Sequence, residues 1–534
     1  MQRNEGNRSK SYFHNVGLFY PPMEGSKMLN SLPEIFFVLL AISVLSALFL
    51  LYPRVPLSFV RLHIGITLLP PLAALMVLVT TKETIIYGPW WLDSLSWMLV
   101  LFVLTIGFIV QCYSVRYFLG DRSYRKYFAL LTITITADSV VWLSNDLRLL
   151  LICWGVTLLG LILLIRLKKE WSVARNAAKQ SGRLFAISWL ILFGAVIWVT
   201  QSTGHWQLSL VLTKSSLTQL DLWERTCISL MLILAVVIPA AQWPFQRWLL
   251  NSVVAPTPVS AVMHAGLVNA GGIILTRFSP LFSGDIPQIV LLLVSSVSVM
   301  TGTGIMLVQV DYKRQLVGST IAQMGFMLIQ CALGAFLAAI IHAVLHGLFK
   351  STLFLQAGST LQHHKKPTSE SNQPLSLLWT ITGGILGLLV AIGLWLSSSG
   401  ENYQIISALT LGWSVSLAWT QLVASGSGHI ARIAGFSLFA VAAIVYHFVH
   451  DAFYGVLQNS IPKGMQPPEP AAIFLLIILL AGSAVGVWLA RNRSSAAYFV
   501  IYLWLVRLGE PQNNLIESHP KYLTQSFFRG GHLR

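Results

Sequence analysis

The chain has 534 residues, is 55% hydrophobic and only 10% charged, and its mean hydropathy is +0.70. Soluble globular domains carry about 25% charged residues, so this composition excludes a soluble enzyme and implies a polytopic membrane protein with lipid as its immediate surroundings. The formal net charge of +16 does not argue for nucleic acid, because the basic residues fall in short loops between apolar runs.

The first apolar run begins near Glu34, behind a polar tail of residues 1–33, which is too far in for a signal-peptide core. Apolar periodicity predicts an all-α bundle of about fifteen membrane helices, with a margin of one or two. The expected spans are roughly 35–52, 62–80, 95–115, 126–144, 147–166, 183–201, 227–248, 258–277, 287–309, 316–335, 336–361, 375–398, 404–424, 430–452 and 470–490. They form one domain over residues 34–508, followed by a basic tail, 509–534. The run Ala496–Leu508 is too short to span, and either lies on the membrane surface or packs against the bundle.

Arg54 and Arg61, the cluster Arg116–Lys126, the cluster Arg166–Arg183, Lys313 and Arg314, Lys365 and Lys366, and Arg491 and Arg493 all follow odd-numbered spans. Those ends are expected to face the cytoplasm, which places the N-terminus outside. Arg3, Arg8, Lys10 and Lys27 in the N-terminal tail disagree, but six loops agree with one another. The four cysteines, Cys112, Cys153, Cys227 and Cys331, lie in or beside apolar runs without CxxC spacing, so no metal or haem site follows.

Asp93 and the segment Tyr113–Asp121 bound the third span and, by composition alone, read as a helix cap and a basic loop. Asp138 sits among apolar residues in the fourth span. A charge at membrane depth is normally paired or faces water, so Asp138 is a candidate proton site; the other reading is a neutral carboxyl bonded to nearby Thr or Ser. Gln207–Arg225 is an amphipathic outer segment with no assigned chemistry.

The seventh span breaks at Pro239 and Pro244, around Gln242. Proline frees backbone carbonyls that side chains or water must satisfy within a bilayer, so a broken helix is expected there. The eighth span carries His264 and, five residues on, Asn269; on a regular helix they lie about 140° apart. His264 is a candidate proton relay, although a lone intramembrane histidine is often only a hydrogen-bonded core residue.

In the eleventh span, His342, His346 and Lys350 recur at intervals of four, on one stripe about 12 Å long. Such a stripe suits proton relay. Two histidines at this interval also suit a metal, but no glutamate follows the first histidine and no third ligand is evident. His447, His450 and Asp451 form a second, weaker polar patch in the fourteenth span, and His363–Lys366 close the eleventh.

The run Gln242–Phe245, Trp248–Leu249, Ala255–Gly266 and Val268–Gly272 resembles the antiporter-like membrane subunits of respiratory complex I and of multisubunit sodium/proton antiporters. Asp311-Tyr312-Lys313-Arg314-Gln315-Leu316 with Ser319-Thr320 and Gln323-Met324-Gly325, and the His342–His346–Lys350 helix, extend the resemblance. Within that superfamily the chain looks most like the DabB family, the membrane subunits of two-component inorganic-carbon accumulation systems. The resemblance implies a non-enzymatic, multi-pass subunit of the cell inner membrane, without a cofactor of its own. Such a subunit would conduct protons or another cation and so energise a DabA-like, zinc-containing cytoplasmic partner that acts as a carbonic anhydrase. It also assigns the path to His264, Asn269, His342, His346 and Lys350, with Asp138 assisting, and an inverted repeat of two interrupted helices, around Pro239 and around the His342 stripe.

One departure stands out. The complex I subunits pair a glutamate after the span-five tryptophan with a lysine on the broken helix. The matching positions here are Gly155 and Pro239. Either charge alone would be left unpaired in the membrane, so losing both is physically consistent. The loss argues against a standard pump. A cation/proton antiporter or NADH–quinone dehydrogenase-like subunit, and a non-conducting anchor for a partner enzyme, stand as the alternatives. A bare anchor, however, has no need of a buried Lys350.

Overall fold

The computed structural model describes residues 24–81, 83–282, 285–359, 377–397, 429–461 and 494–510, with isolated helical positions within 412–419 and 473–492. The N-terminal half runs α1 (Glu24–Leu50), α2 (Phe59–Thr67), α3 (Leu69–Thr80), the hairpin β1 (Ile85–Tyr87) and β2 (Trp90–Leu92), α4 (Ser94–Tyr117), α5 (Tyr124–Leu143), α6 (Leu147–Ile165) and α7 (Ser172–Thr203). Two short outer helices follow, α8 (Leu208–Val211) and α9 (Lys214–Leu217), then α10 (Leu222–Val237), α11 (Arg247–Asn251), α12 (Thr257–Ala265) and α13 (Ala270–Arg277). The remainder comprises α14 (Asp285–Val308), α15 (Tyr312–Ala332), α16 (Phe336–Ser359), α17 (Leu377–Ser397), α18 (His429–Leu457) and α19 (Ala496–Gly509).

Nine described segments are long and apolar enough to cross a membrane. Their outward faces carry exposed apolar side chains such as Leu45, Val79 and Leu190, as a lipid-facing surface requires. Several helix starts are closed by side chains. Asp93 accepts from Ser96 N at 2.7 Å, Asp146 caps α6 through Arg148 N and Asp311 caps α15 through Arg314 N. Gly204, at φ 72°, supplies the left-handed residue that ends α7.

The contacts group the ends as the loop charges require. Tyr117 at the end of α4 meets Thr257 at the start of α12, Arg125 donates to the carbonyls of Tyr52 and Pro53, and Lys168 lies 3.5 Å from Asp121. At the opposite face Asn145 joins Gly88 to Ser209, and Arg225 donates to Pro280 O.

The structure corrects several expectations. The second span is two abutting helices that meet at Leu68, where Pro70 and Pro71 open the second. A short hairpin precedes α4, with Gly88 at positive φ in its turn. The eighth span is not continuous, because Gly266 and the 3-10 turn Leu267–Asn269 separate α12 from α13. The interruption expected around the His342 stripe is absent, since α16 is unbroken. Of the two alternatives for the last apolar run, α19 packs on α14, with Leu505 against Gly304. The spans expected at 404–424 and 470–490 and the segment His363–Lys366 lie largely or wholly outside the described residues.

Candidate functional site

Two helix breaks meet at the centre of the bundle. After α10 the chain turns through Pro239 and through Ala241, at φ 53°, and resumes as α11. The freed carbonyls find side-chain donors: Ser188 Oγ reaches Ala235 O at 2.6 Å, Gln242 Nε2 reaches Ala240 O at 2.8 Å, and Trp248 Nε1 reaches Ile238 O at 2.8 Å; Gln242 Nε2 also lies 3.3 Å from Ile321 O of α15. Trp243 N, after the break and beside Pro244, donates to Ser298 Oγ at 2.9 Å. The prolines thus open the helix, and Ser188, Gln242 and Trp248 supply donors to carbonyls it leaves free.

The second break is closed by Asn269. Its amide donates to Ala265 O at 2.6 Å and, across the interface, to Ala343 O of α16 at 3.0 Å. Asn269 is therefore a clamp between the broken helix and α16. The regular-helix angle between His264 and Asn269 does not apply across the 3-10 turn. Gly347 makes the close approach possible, because a Cβ there would lie 2.8 Å from Ala265 O.

His264 is fully buried. Its Nδ1 lies 3.1 Å from Thr320 Oγ1, its ring stacks on Phe354 at 4.3 Å, and its Nε2 has no hydrogen-bond partner among the described residues. Lys350, 1% exposed, donates to Leu316 O at 3.1 Å. Thr320 and Leu316 are one helical turn apart on α15, so α15 sets His264 and Lys350 side by side. His346 lies within electrostatic range of His264, Lys350 and His342. Its own Nε2 is buried and has no hydrogen-bond partner among the described residues, and its ring centre is 6.0 Å from that of His342. His342, His346 and Lys350 all line a cavity of ≈ 410 Å³ between α15 and α16, with room for on the order of ten waters.

Asp138 is not in this cavity. It is buried on α5 and lines a separate space of ≈ 30 Å³ with Thr134, Thr157 and Gly266, enough for about one or two waters. Its Oδ1 has no hydrogen-bond partner among the described residues, and a Cβ on Gly266 would stand 3.9 Å from its Oδ2. Asp138 thus faces the broken helix at its second break, while His264 lies on α12 and His342, His346 and Lys350 lie on α16 against α15. His447, His450 and Asp451 form exposed ion pairs on α18, outside this cluster.

Gly155 carries its own explanation. A Cβ there would fall 2.9 Å from Trp189 Nε1, and that indole donates to Leu151 O at 2.9 Å. The place of a longer side chain is thus taken by a ring from α7.

Sequence reading gave no role to four residues whose contacts the structure shows. Thr320 and the Leu316 carbonyl orient the site; the sequence marks both only as part of the Asp311–Gly325 motif. Arg277 forms a buried bidentate pair with Asp93, at 2.6 and 2.7 Å, and also reaches Ser96 and lies over the Trp91 ring. His63 is buried with a partner on each ring nitrogen, Ser46 at 2.7 Å and Thr132 at 3.0 Å, so it is a satisfied core histidine.

Residues 144–431 match the family profile described as NADH:quinone oxidoreductase/Mrp antiporter, TM. Residues 88–128 match that of NADH-ubiquinone oxidoreductase (complex I), chain 5 N-terminus. A probable inorganic carbon transporter subunit DabB of Bacillus subtilis is 59% identical over 94% of this chain and 99% of its own. A probable DabB subunit of Bacillus anthracis is 56% identical over 94% of this chain and 98% of its own. In fold, the chain matches the solved structure of the Mrp complex from Dietzia sp. with a TM-score of 0.64 at 21% identity, over 94% of this chain and 59% of that one.

Proposed function

The chain belongs to the NADH:quinone oxidoreductase/Mrp antiporter family, in its branch of DabB inorganic carbon transporter subunits, and from that premise we propose that it is the cation-conducting membrane subunit of an inorganic-carbon accumulation system. Protons are the ion this site suits best. The carrying observation is the juxtaposition of His264, His346 and Lys350 around Leu316 and Thr320, beside a cavity that admits water. Two histidine nitrogens of the cluster, Nε2 of His264 and of His346, are buried without a hydrogen-bond partner among the described residues, so neither is committed to a fixed bond that proton transfer would have to break.

In this reading His342 and His346 accept protons along the α16 stripe, Lys350 relays them at the cytoplasmic end, and His264 passes them toward the broken helices. Asp138 serves the N-terminal side of the break. Asn269 acts as the clamp, and Pro239, Gln242 and Pro244 hold the first break open. The flux would energise a DabA-like cytoplasmic partner containing zinc, which hydrates carbon dioxide to trapped bicarbonate, at the cell inner membrane. A membrane potential of 100 mV supplies about 2.3 kcal/mol per charge moved, roughly a fiftyfold accumulation per proton at full coupling.

A non-conducting anchor is the second reading, favoured by Gly155 and its indole neighbour in place of a charge pair. The test is growth in air of a carbonic-anhydrase-deficient bacterium expressing the chain with its partner gene. Rescue lost on His346→Ala, on Lys350→Ala and on adding a protonophore, with membrane levels unchanged, is the expected result. Rescue that survives both substitutions would make the chain an anchor.

A further inference from the structure

The cavity between α15 and α16 has a one-sided chemistry. Its polar wall is Ser319, Gln323, Gln330, His342, His346 and Lys350, and no carboxylate lines it among the described residues. The sequence holds no Asp or Glu at 312–369 or at 371–400. Among the described residues the buried carboxylates are Asp93 and Asp138. Asp93 is bonded to Arg277, and Asp138 lines the other cavity.

Lys350 therefore carries its ammonium at membrane depth with a carbonyl for company and no carboxylate bonded to it among the described residues. An ammonium without a counter-charge is costly there. Its single described bond, to Leu316 O, leaves two of its three N–H groups for another acceptor. His346 Nε2, buried on the same wall and without a hydrogen-bond partner among the described residues, offers a further donor in the matching tautomer.

We propose that this cavity binds a small monovalent anion of the size of bicarbonate, nitrate or chloride, as the counter-ion of Lys350 with His346 as second donor. The three candidates share charge and size. They differ in shape and in bicarbonate's single O–H, which the carbonyl oxygen of Gln323 or Gln330 can accept. With bicarbonate as occupant, the product of the proposed reaction would act on the subunit that admits protons. The inference shares Lys350 with the proton reading but rests on the cavity's lining.

The test is equilibrium binding of ¹⁴C-bicarbonate and ³⁶Cl⁻ to the full chain purified in detergent, at constant pH and ionic strength, with unlabelled nitrate as competitor. Saturable binding of one ion per chain is expected, weakened at least about tenfold by Lys350→Gln, the effect of removing one charged contact, and reduced by His346→Phe. The preferred tracer and its displacement by nitrate identify the occupant. Binding of neither tracer, or binding that both variants leave unchanged, overturns the proposal. Should Lys350→Gln fail to yield a monodisperse protein, His346→Phe decides alone. No gradient or carbon flux enters the measurement, so its failure and that of the proton reading are distinguishable.

Discussion

Asp93 and Arg277 lie 184 residues apart and form the most tightly held ion pair in the described bundle, bidentate and with Ser96 as a third contact. It ties the cap of α4 to the end of the broken eighth span. Removing one partner leaves a buried charge alone, which costs about 3–5 kcal/mol. Arg277→Met should therefore sharply lower the thermal midpoint in detergent, and adding Asp93→Leu should recover part of the loss. Equal midpoints for Arg277→Met and wild type would refute the pair's importance. Gly155 makes a second prediction. Gly155→Ala forces the Trp189 indole off Leu151 O and should cost about 1–3 kcal/mol. In a double-mutant cycle, Trp189→Leu should absorb most of that penalty; strictly additive effects would contradict the packing account. The sequence marked Gly155 as a vacancy and Asp93 as a cap. It could not show what fills the one or pairs with the other, because both partners come from distant helices.

The two breaks differ in how visible they are. Pro239 and Pro244 announce the first by removing backbone donors. The second, at Gly266, carries no proline, and its apolar pattern reads as a continuous helix. It exists because Asn269 satisfies Ala265 O and Ala343 O from the side. The His342 stripe was legible as a four-residue period on one face, and α16 keeps that face intact. The break expected there came from the resemblance to an inverted repeat, not from any helix-breaking residue in α16. Gly347 sets the distance between α16 and the second break. Gly347→Ala inserts a methyl group against Ala265 O and Asn269 Nδ2 and should push α16 away from α12. The predicted outcome is near-normal membrane level with carbon-dependent growth lost, although every titratable group is retained. Full growth would show that this spacing does not matter.

Across the whole molecule, charge is scarce and placed by cost. The basic loops define one face, and the interior keeps ionisable groups where a neighbour or a cavity receives them. Asp93 pairs with Arg277, Asp138 meets a small and mostly apolar space, and Lys350 shares a larger one with His342 and His346. The class of protein and the polar stripe were plain from composition and spacing. The partition into two cavities on either side of the broken helix was not, since it depends on how α5, α12, α15 and α16 pack. The central claim is that His346 and Lys350 carry the conducted proton. The most direct measurement is proton uptake into liposomes holding the chain with its partner, read by an internal pH dye after a potassium-valinomycin potential is imposed. The account predicts potential-driven acidification in wild type that falls to the empty-liposome rate in His346→Ala and Lys350→Ala. Uptake equal to wild type in both variants would contradict it.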